Sequence, residues 1–259
     1  MPKNDIEKVK SIIKKSGNAF HGKVLKYLKE KDWTVLVSPY YNDNVSNKPR
    51  EVDLIADNAF IAANGLNQPI GTINVNLFIE CKYIPQKTVF WFHDKDKQKA
   101  EDLVLATTPL PKNHPNTQKH HYLGDIDHVA KLFAGEKQRS LENEIFYKAL
   151  NQSLNAMIYY RGRESIISEQ RNHVIITVSY PVIICNSFEN LYRVDIESND
   201  DPVKITENFQ LEVNYAYLDS NKDPKNEYFF IDILSFDFLD NFLDTIKEDK
   251  NLIDYFIER

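Results

Sequence analysis

Asp53, Glu80 and Lys82 are the residues whose types and spacing could do chemistry together. Asp53 lies in REVDLIA, and Glu80 and Lys82 follow 27 and 29 residues later in LFIECKY. Both runs are apolar and suited to strands. Strand side chains alternate between faces, so Glu80 and Lys82 project from one side while Ile79 and Cys81 point to the other. Charged groups within an apolar strand are costly unless they pair or bind a metal. Phosphodiester hydrolysis would use such a set. Two carboxylates can hold a Mg²⁺ or Mn²⁺ ion that keeps several waters. The ion acidifies a bound water and offsets the charge growing on the phosphoryl oxygens, and a neighbouring ammonium orients the nucleophile and stabilises that charge. Asp53 and Glu80 fit the ligand role, the backbone carbonyl of Cys81 is a candidate third ligand, and Lys82 fits the ammonium role. The competing account is an ordinary salt-bridged strand pair, because an isolated ExK triplet arises by chance in many chains.

The elements that must position these groups are legible in the periodicity. Asp5 to Lys31 reads as helix in two pieces, broken near Ser16-Gly17-Asn18, and Phe20, Val24, Leu25 and Leu28 form an apolar stripe in the second. Strands are expected at Trp33–Val37, Arg50–Ala56 and about Val75–Tyr83, with irregular chain around Gly65, Asn67 and Gly71. Residues 84–140 look least regular and are expected to form an insertion that covers a site or contacts a substrate; within it, the latter half of HHYLGDIDHVAKLFAG is read as helix. Leu141 to Arg161 is the clearest helix, with Leu150, Leu154, Met157 and Ile158 in its stripe. Further strands are expected at Val174–Tyr180, Val182–Cys185, Leu191–Ile196, Gln210–Tyr217 and Tyr228–Leu234, then a helix from about Phe238 to Lys247, with room for another to the end. Glycine is scarce, at seven residues, and no repeat or linker divides the chain, so 1–259 is read as one domain.

The order helix, strand, Asp-bearing strand, ExK strand, helix, strand resembles the αβββαβ core of the PD-(D/E)xK, or restriction-endonuclease-like, nuclease superfamily. The likeness covers about residues 16–83 closely and 141–196 in outline. It implies an α/β fold with a mixed central β-sheet flanked by helices and carrying insertions. It also implies a metal-dependent DNA endonuclease with Asp53, Glu80 and Lys82 as catalytic residues, and with Mg²⁺ or Mn²⁺ on Asp53, Glu80 and the Cys81 carbonyl. DNA would be the partner, and one active site per chain favours a homodimer for double-strand cleavage. Restriction, repair and defence roles all fit. Glu51, two positions before Asp53, matches a polar position of the restriction-enzyme-like branches. The chain also departs from the pattern. Many members carry a Phe-Glu pair on the first helix, whereas His21 follows Phe20 here and no acid precedes Glu30 in that piece; this points to one metal, or to His21 as a neutral substitute. Val52 stands where a proline is common. Gln152 matches a helix glutamine of one exonuclease branch, but Ala156 stands four residues on where that branch has tyrosine, with Tyr159 and Tyr160 beyond. A nuclease-like fold that binds nucleic acid or acts as a scaffold without catalysis is the alternative reading, and an unrelated α/β protein is a third.

Bulk properties bound these readings. With 42% hydrophobic and 27% charged residues the chain is ordinary for a globular protein. Net charge is −6, yet residues 1–31 hold nine lysines against three acids and residues 181–259 hold 18 acids against seven bases. That asymmetry would let one face approach phosphate; lysines that merely solvate a helix explain it equally well. Cys81 and Cys185 form no disulfide or zinc pattern and read as buried reduced thiols, which suits a reducing cytoplasm. No run reaches the roughly 20 apolar residues that span a bilayer, and MPKNDIEKVKSIIKK lacks the apolar core of a signal peptide, so a soluble cytoplasmic protein is expected. His114, His120, His121, Asp125, Asp127 and His128 include metal-ligand types, but their spacing matches no recognised motif and a solvated loop is the favoured account. Phe90, Trp91 and Phe92 could stack on bases, although alternation sends at least one inward. No Gly-rich phosphate loop or serine elbow is present.

Overall fold

Alternating apolar residues build most of the sheet. The computed structural model describes residues 3–15, 17–44, 46–63, 68–124, 126–136, 144–161, 166–170, 173–198, 200–219 and 221–257. Helices α1 (Lys3–Lys15) and α2 (Asn18–Glu30) lead into strands β1 (Thr34–Val37), β2 (Tyr40–Asn42), β3 (Pro49–Glu51), β4 (Leu54–Ala63) and β5 (Pro69–Lys82). Next come β6 (Thr88–Asp94), α3 (Lys97–Thr107), a 3₁₀ turn at Thr117–Lys119, β7 (His128–Gly135) and α4 (Ile145–Arg161). Strands β8 (Ile167–Gln170), β9 (His173–Cys185), β10 (Leu191–Asp195), β11 (Val203–Lys204), β12 (Phe209–Leu218) and β13 (Pro224–Ser235) follow, and α5 (Leu239–Ile257) closes the chain.

Among the described residues, one eleven-stranded sheet runs β1-β4-β5-β9-β13-β12-β7-β6-β10-β11, with β8 on β9, and β2-β3 form a separate pair. β1, β4 and β5 are antiparallel neighbours, whereas β9 joins β5 in parallel. The sheet is therefore mixed, and helices cover both faces, as the sequence leads one to expect. One core cluster joins Val24 and Leu28 of α2, Val104 of α3 and Phe242 and Ile246 of α5 to Ile79, Val182 and Leu234. The other lies under α4, where Phe146, Leu150, Leu154 and Met157 meet Phe78, Ile183 and Ile231. No described helix is long and apolar enough to cross a membrane.

Several local expectations are corrected. Arg50–Ala56 is not one strand: β3 pairs with β2, the chain bends at Val52-Asp53, and β4 begins at Leu54. β4 and β5 run well beyond their expected limits, because Ile73, Val75 and Leu77 alternate with Thr72, Asn74 and Asn76 and a long ladder outweighs the turn tendency of asparagine and glycine. Gly65 and Asn67 lie outside the described residues. Residues 84–140 are largely regular in their described part. Asp96 caps α3 by accepting the Lys99 N–H at 3.1 Å, which ends the irregular reading of DKDKQKAED. HVAKLFAG is strand β7 rather than helix, held by β6 and β12. Val174–Cys185 is continuous in β9; Pro181, which has no N–H to donate, falls between the stretch paired with β8 and the stretch paired with β13.

Gly71 lies directly opposite Val174 in the β5–β9 ladder, and a Cβ there would stand 2.7 Å from the Val174 carbonyl oxygen. Backbone cannot yield as a side chain does. Gly71→Ala is expected to destabilise the fold by about 1–3 kcal/mol, read from urea unfolding; an unchanged midpoint would mean that the two strands part freely.

Candidate functional site

The last register of the β4–β5 ladder pairs Leu54 with Ile79. Beyond it, side chains take over the cross-strand bonding. Glu80 Oε1 accepts the Asp53 backbone N–H at 3.2 Å, and Asp53 Oδ2 accepts the Cys81 N–H at 2.8 Å. The bend that carries Asp53 is tied down by Ser38 N–H to the Asp53 carbonyl at 2.9 Å and Val52 N–H to the Pro39 carbonyl at 3.2 Å. Lys82 Nζ then lies 2.5 Å from Glu80 Oε2 and 3.8 Å from Asp53 Oδ2. Two carboxylates and an ammonium thus converge at one end of the hairpin, on the α4 face.

Exposure differs sharply within the trio. The Glu80 side chain is sealed at 0%, while Asp53 and Lys82 reach solvent at 24% and 17%. Burial pushes the Glu80 carboxyl up to about 7; the Lys82 ammonium opposes that shift and the Asp53 carboxylate adds to it. Burial favours a neutral Lys82, but Glu80 and Asp53 outweigh it and hold the ammonium above its ordinary value. The donor set fits a hard divalent ion: two carboxylates fixed by backbone N–H groups, one of them open to water. In the metal-free protein Lys82 serves as the counter-cation of Glu80.

The raised Glu80 carboxyl has a measurable consequence. Between its ordinary 4.5 and about 7 the folded protein binds more proton than the unfolded chain, so this group's contribution to stability falls as pH rises through that window. Metal-free Glu80→Gln should lack that decline. Denaturation of both proteins from pH 5 to 8 should show the variant gaining on the wild type as pH rises; a constant difference would place Glu80 in a solvated setting.

The supporting residues are distributed differently. Gln152 does not face solvent: its Nε2 donates to the Glu51 carbonyl at 2.9 Å, while its Oε1 is buried without a partner. It steadies the chain two residues before Asp53. Ser153 Oγ donates to the Phe78 carbonyl at 2.8 Å, locking α4 over β5. Glu51 sits in β3 opposite Tyr40. His21 belongs to α2, whose buried face packs with Ile79 on the other side of the sheet from Glu80, and its Nε2 is buried without a partner. It forms no bond with the trio. Phe90 and Phe92 are core residues packed on Phe146 and Phe209, so they offer no stacking surface. Cys81 and Cys185 are free, and burial raises both thiols.

The histidine-rich segment is not a solvated loop throughout. His114 packs edge-on against Phe256, Asp127 pairs with Lys97, and His128 lies between Asp94 and Asp195; Asp125 lies outside the described residues. His120 and His121, however, turn inward onto residues that the sequence reading missed. His121 Nδ1 bonds Asp249 of α5, its backbone N–H donates to Asp249 Oδ1 at 3.0 Å, and its Nε2 lies 3.4 Å from Asp232 Oδ2 of β13. Tyr122 OH donates to Asp232 Oδ2 at 3.1 Å, and Tyr180 OH to Asp249 Oδ2 at 3.3 Å. Burial alone would lower His121, but Asp249 and Asp232 override it and push the ring up to about 10. His120 Nδ1 accepts the Tyr122 N–H at 3.2 Å and so carries no proton; burial holds that ring near 4. The available signal was FFIDILS, an acid inside an apolar strand. Nothing local pointed to Asp249. This cluster lies on the α5 face and Glu80 on the α4 face, because Asp232 is in register with Val182 of one core and Glu80 with Ile183 of the other.

Compared with family models, curated proteins and solved structures, the chain matches none of them.

Proposed function

We propose that the chain is a metal-dependent DNA endonuclease of the PD-(D/E)xK type, with Asp53, Glu80 and Lys82 as its catalytic residues. The observation that carries this reading is the convergence of the cross-bonded Asp53 and Glu80 carboxylates beside the Lys82 ammonium. The order α2, β1, β4, β5, α4, β9, with the first three strands antiparallel and the last parallel, supports it. Asp53 and Glu80, with the Cys81 carbonyl, would hold Mg²⁺ or Mn²⁺, which when bound lowers the pKa of a water and neutralises phosphoryl charge. The chain's own groups supply the rest. The Cys81 N–H fixes the Asp53 carboxylate, and the Asp53 N–H fixes that of Glu80, so neither must reorganise during the reaction. Lys82, partly exposed, is placed to orient the attacking water and hold charge on the scissile phosphate. With no acid on α2 ahead of Glu30 at its far end, one ion is the expected complement, and a homodimer would supply the second cut of a duplex.

A second reading has its own observation. Glu80 is fully buried and already paired with Lys82 at 2.5 Å, which suits a static bridge in a nuclease-like module that binds nucleic acid without cutting. Calorimetric titration with Mn²⁺ separates the two. The enzyme reading expects binding that Asp53→Asn removes. If the wild type takes up no Mn²⁺ at this site, the non-catalytic reading stands.

A further inference from the structure

On the opposite face of the sheet from Glu80, His121, Asp232 and Gln210 share the wall of a cleft of about 300 Å³, together with Asn208, Phe242 and Thr245. Three features of this cluster call for a cation. First, Asp232 and Asp249 are nearly sealed, at 4% and 2% exposure, and the histidines are the only basic side chains paired with them among the described residues. His120 takes a backbone N–H on its Nδ1, and the two acidic side chains both converge on the one His121 ring. An uncompensated carboxylate in such a setting is costly. Second, Gln210 is 3% exposed and its Nε2 donates to the His121 carbonyl at 3.3 Å, which fixes the amide orientation and leaves Oε1 buried with no partner. Gln210 is the cross-strand neighbour of Asp232 in the β12–β13 ladder, on the same face. Third, His121 Nε2 and Asp232 Oδ2 lie 3.4 Å apart. That is long for a hydrogen bond, but it matches the ligand-to-ligand distance of about 3.3–3.4 Å around a tetrahedral ion with bonds of about 2.0–2.1 Å.

We propose that His121 Nε2, the Asp232 carboxylate and Gln210 Oε1 form a site for a divalent first-row transition ion such as Zn²⁺, open to the cleft and separate from the Asp53 centre. The surrounding contacts are those such a site needs. Asp249 takes the His121 Nδ1 hydrogen, which fixes the ring with Nε2 toward Asp232. Tyr122 OH steadies Asp232, and Tyr180 OH steadies Asp249. An imidazole with oxygen ligands suits Zn²⁺ or Co²⁺ better than a soft ion. Binding releases the Nε2 proton to solvent, and the two positive charges then balance Asp232 and Asp249. His120 stays outside the ligand set, because its Nε2 holds the ring proton and lies 3.4 Å from Asp249 without hydrogen-bonding geometry. The cleft gives the ion an entry path and leaves room for a water as a further ligand.

The test uses the full chain stripped of metal and carrying Asp53→Asn and Glu80→Gln, so that the other centre cannot contribute. Titration with Co²⁺ should give visible d–d absorption that saturates at one equivalent and disappears when Zn²⁺ is added. Adding His121→Gln or Asp232→Asn should abolish the band, and Asp249→Asn should weaken binding by about 10- to 100-fold. Gln210→Leu removes no charge and, with folding checked by circular dichroism, should weaken binding at least about tenfold. A parent protein that develops no band overturns the proposal. So does a band that persists with both His121→Gln and Asp232→Asn, or a folded Gln210→Leu protein that binds Co²⁺ as the parent does.

Discussion

On the proposed nuclease reading, Asp53→Ala, Glu80→Ala and Lys82→Ala are each expected to lower Mg²⁺-dependent cleavage of DNA by about 10²- to 10³-fold, the scale at which loss of one preorganised group acts on a transition state. The three changes remove different things. Asp53→Ala takes away the solvent-reaching carboxylate and the acceptor of the Cys81 N–H. Glu80→Ala removes the buried carboxylate and leaves Lys82 with Asp53 alone, at 3.8 Å. Lys82→Ala leaves both carboxylates in place, so metal binding should survive while turnover is lost. That split distinguishes an ammonium that acts on the phosphate from one that merely fills a cation slot. Initial rates on linear and supercoiled duplexes, beside Mn²⁺ titrations of each variant, provide the measurement. Cleavage that survives all three single changes would rule out this centre as the source of activity.

The second large effect concerns stability. His121→Leu should cost about 3–5 kcal/mol in chelator-containing buffer, because it leaves Asp232 and Asp249 buried without their shared partner. Asp249→Ala should be comparably harmful, since it strands the His121 ring between α5 and the sheet. The pH dependence has a defined sign. The His121 ring is pushed up to about 10 from an ordinary 6.5, so its stabilising contribution is complete below about 6.5 and is lost as pH rises through 10. Wild-type and His121→Leu stabilities should converge at high pH in urea titrations. A difference below about 1 kcal/mol at pH 6 would mean that the carboxylates are solvated or already neutral.

The candidate centre was legible because its logic is local. Glu80 and Lys82 are two residues apart on one strand, and the period of a strand puts them on one face whatever the rest of the fold does. Asp53 was legible as an acid in an apolar run, but its exact placement was not. The bend at Val52-Asp53 exists because β3 turns away to pair with β2, and a partner of that kind leaves no trace in periodicity. Likewise the segment of β7 reads as helix and becomes strand because β6 pairs along its length and β12 joins it at Ala130.

The amino-acid pattern by itself determined the α/β class, most of the helices, the carboxylate–ammonium trio and the burial of Cys185, while Cys81 lies at intermediate depth; each legible feature follows from residue type and short-range spacing. Tertiary structure alone decided which distant groups meet. His121 reaches Asp232 and Asp249 across 111 and 128 residues of sequence. It does so because β13 lies beside β9 and α5 folds back across that face, and chain closure over such distances depends on the packing of the whole core rather than on any local preference.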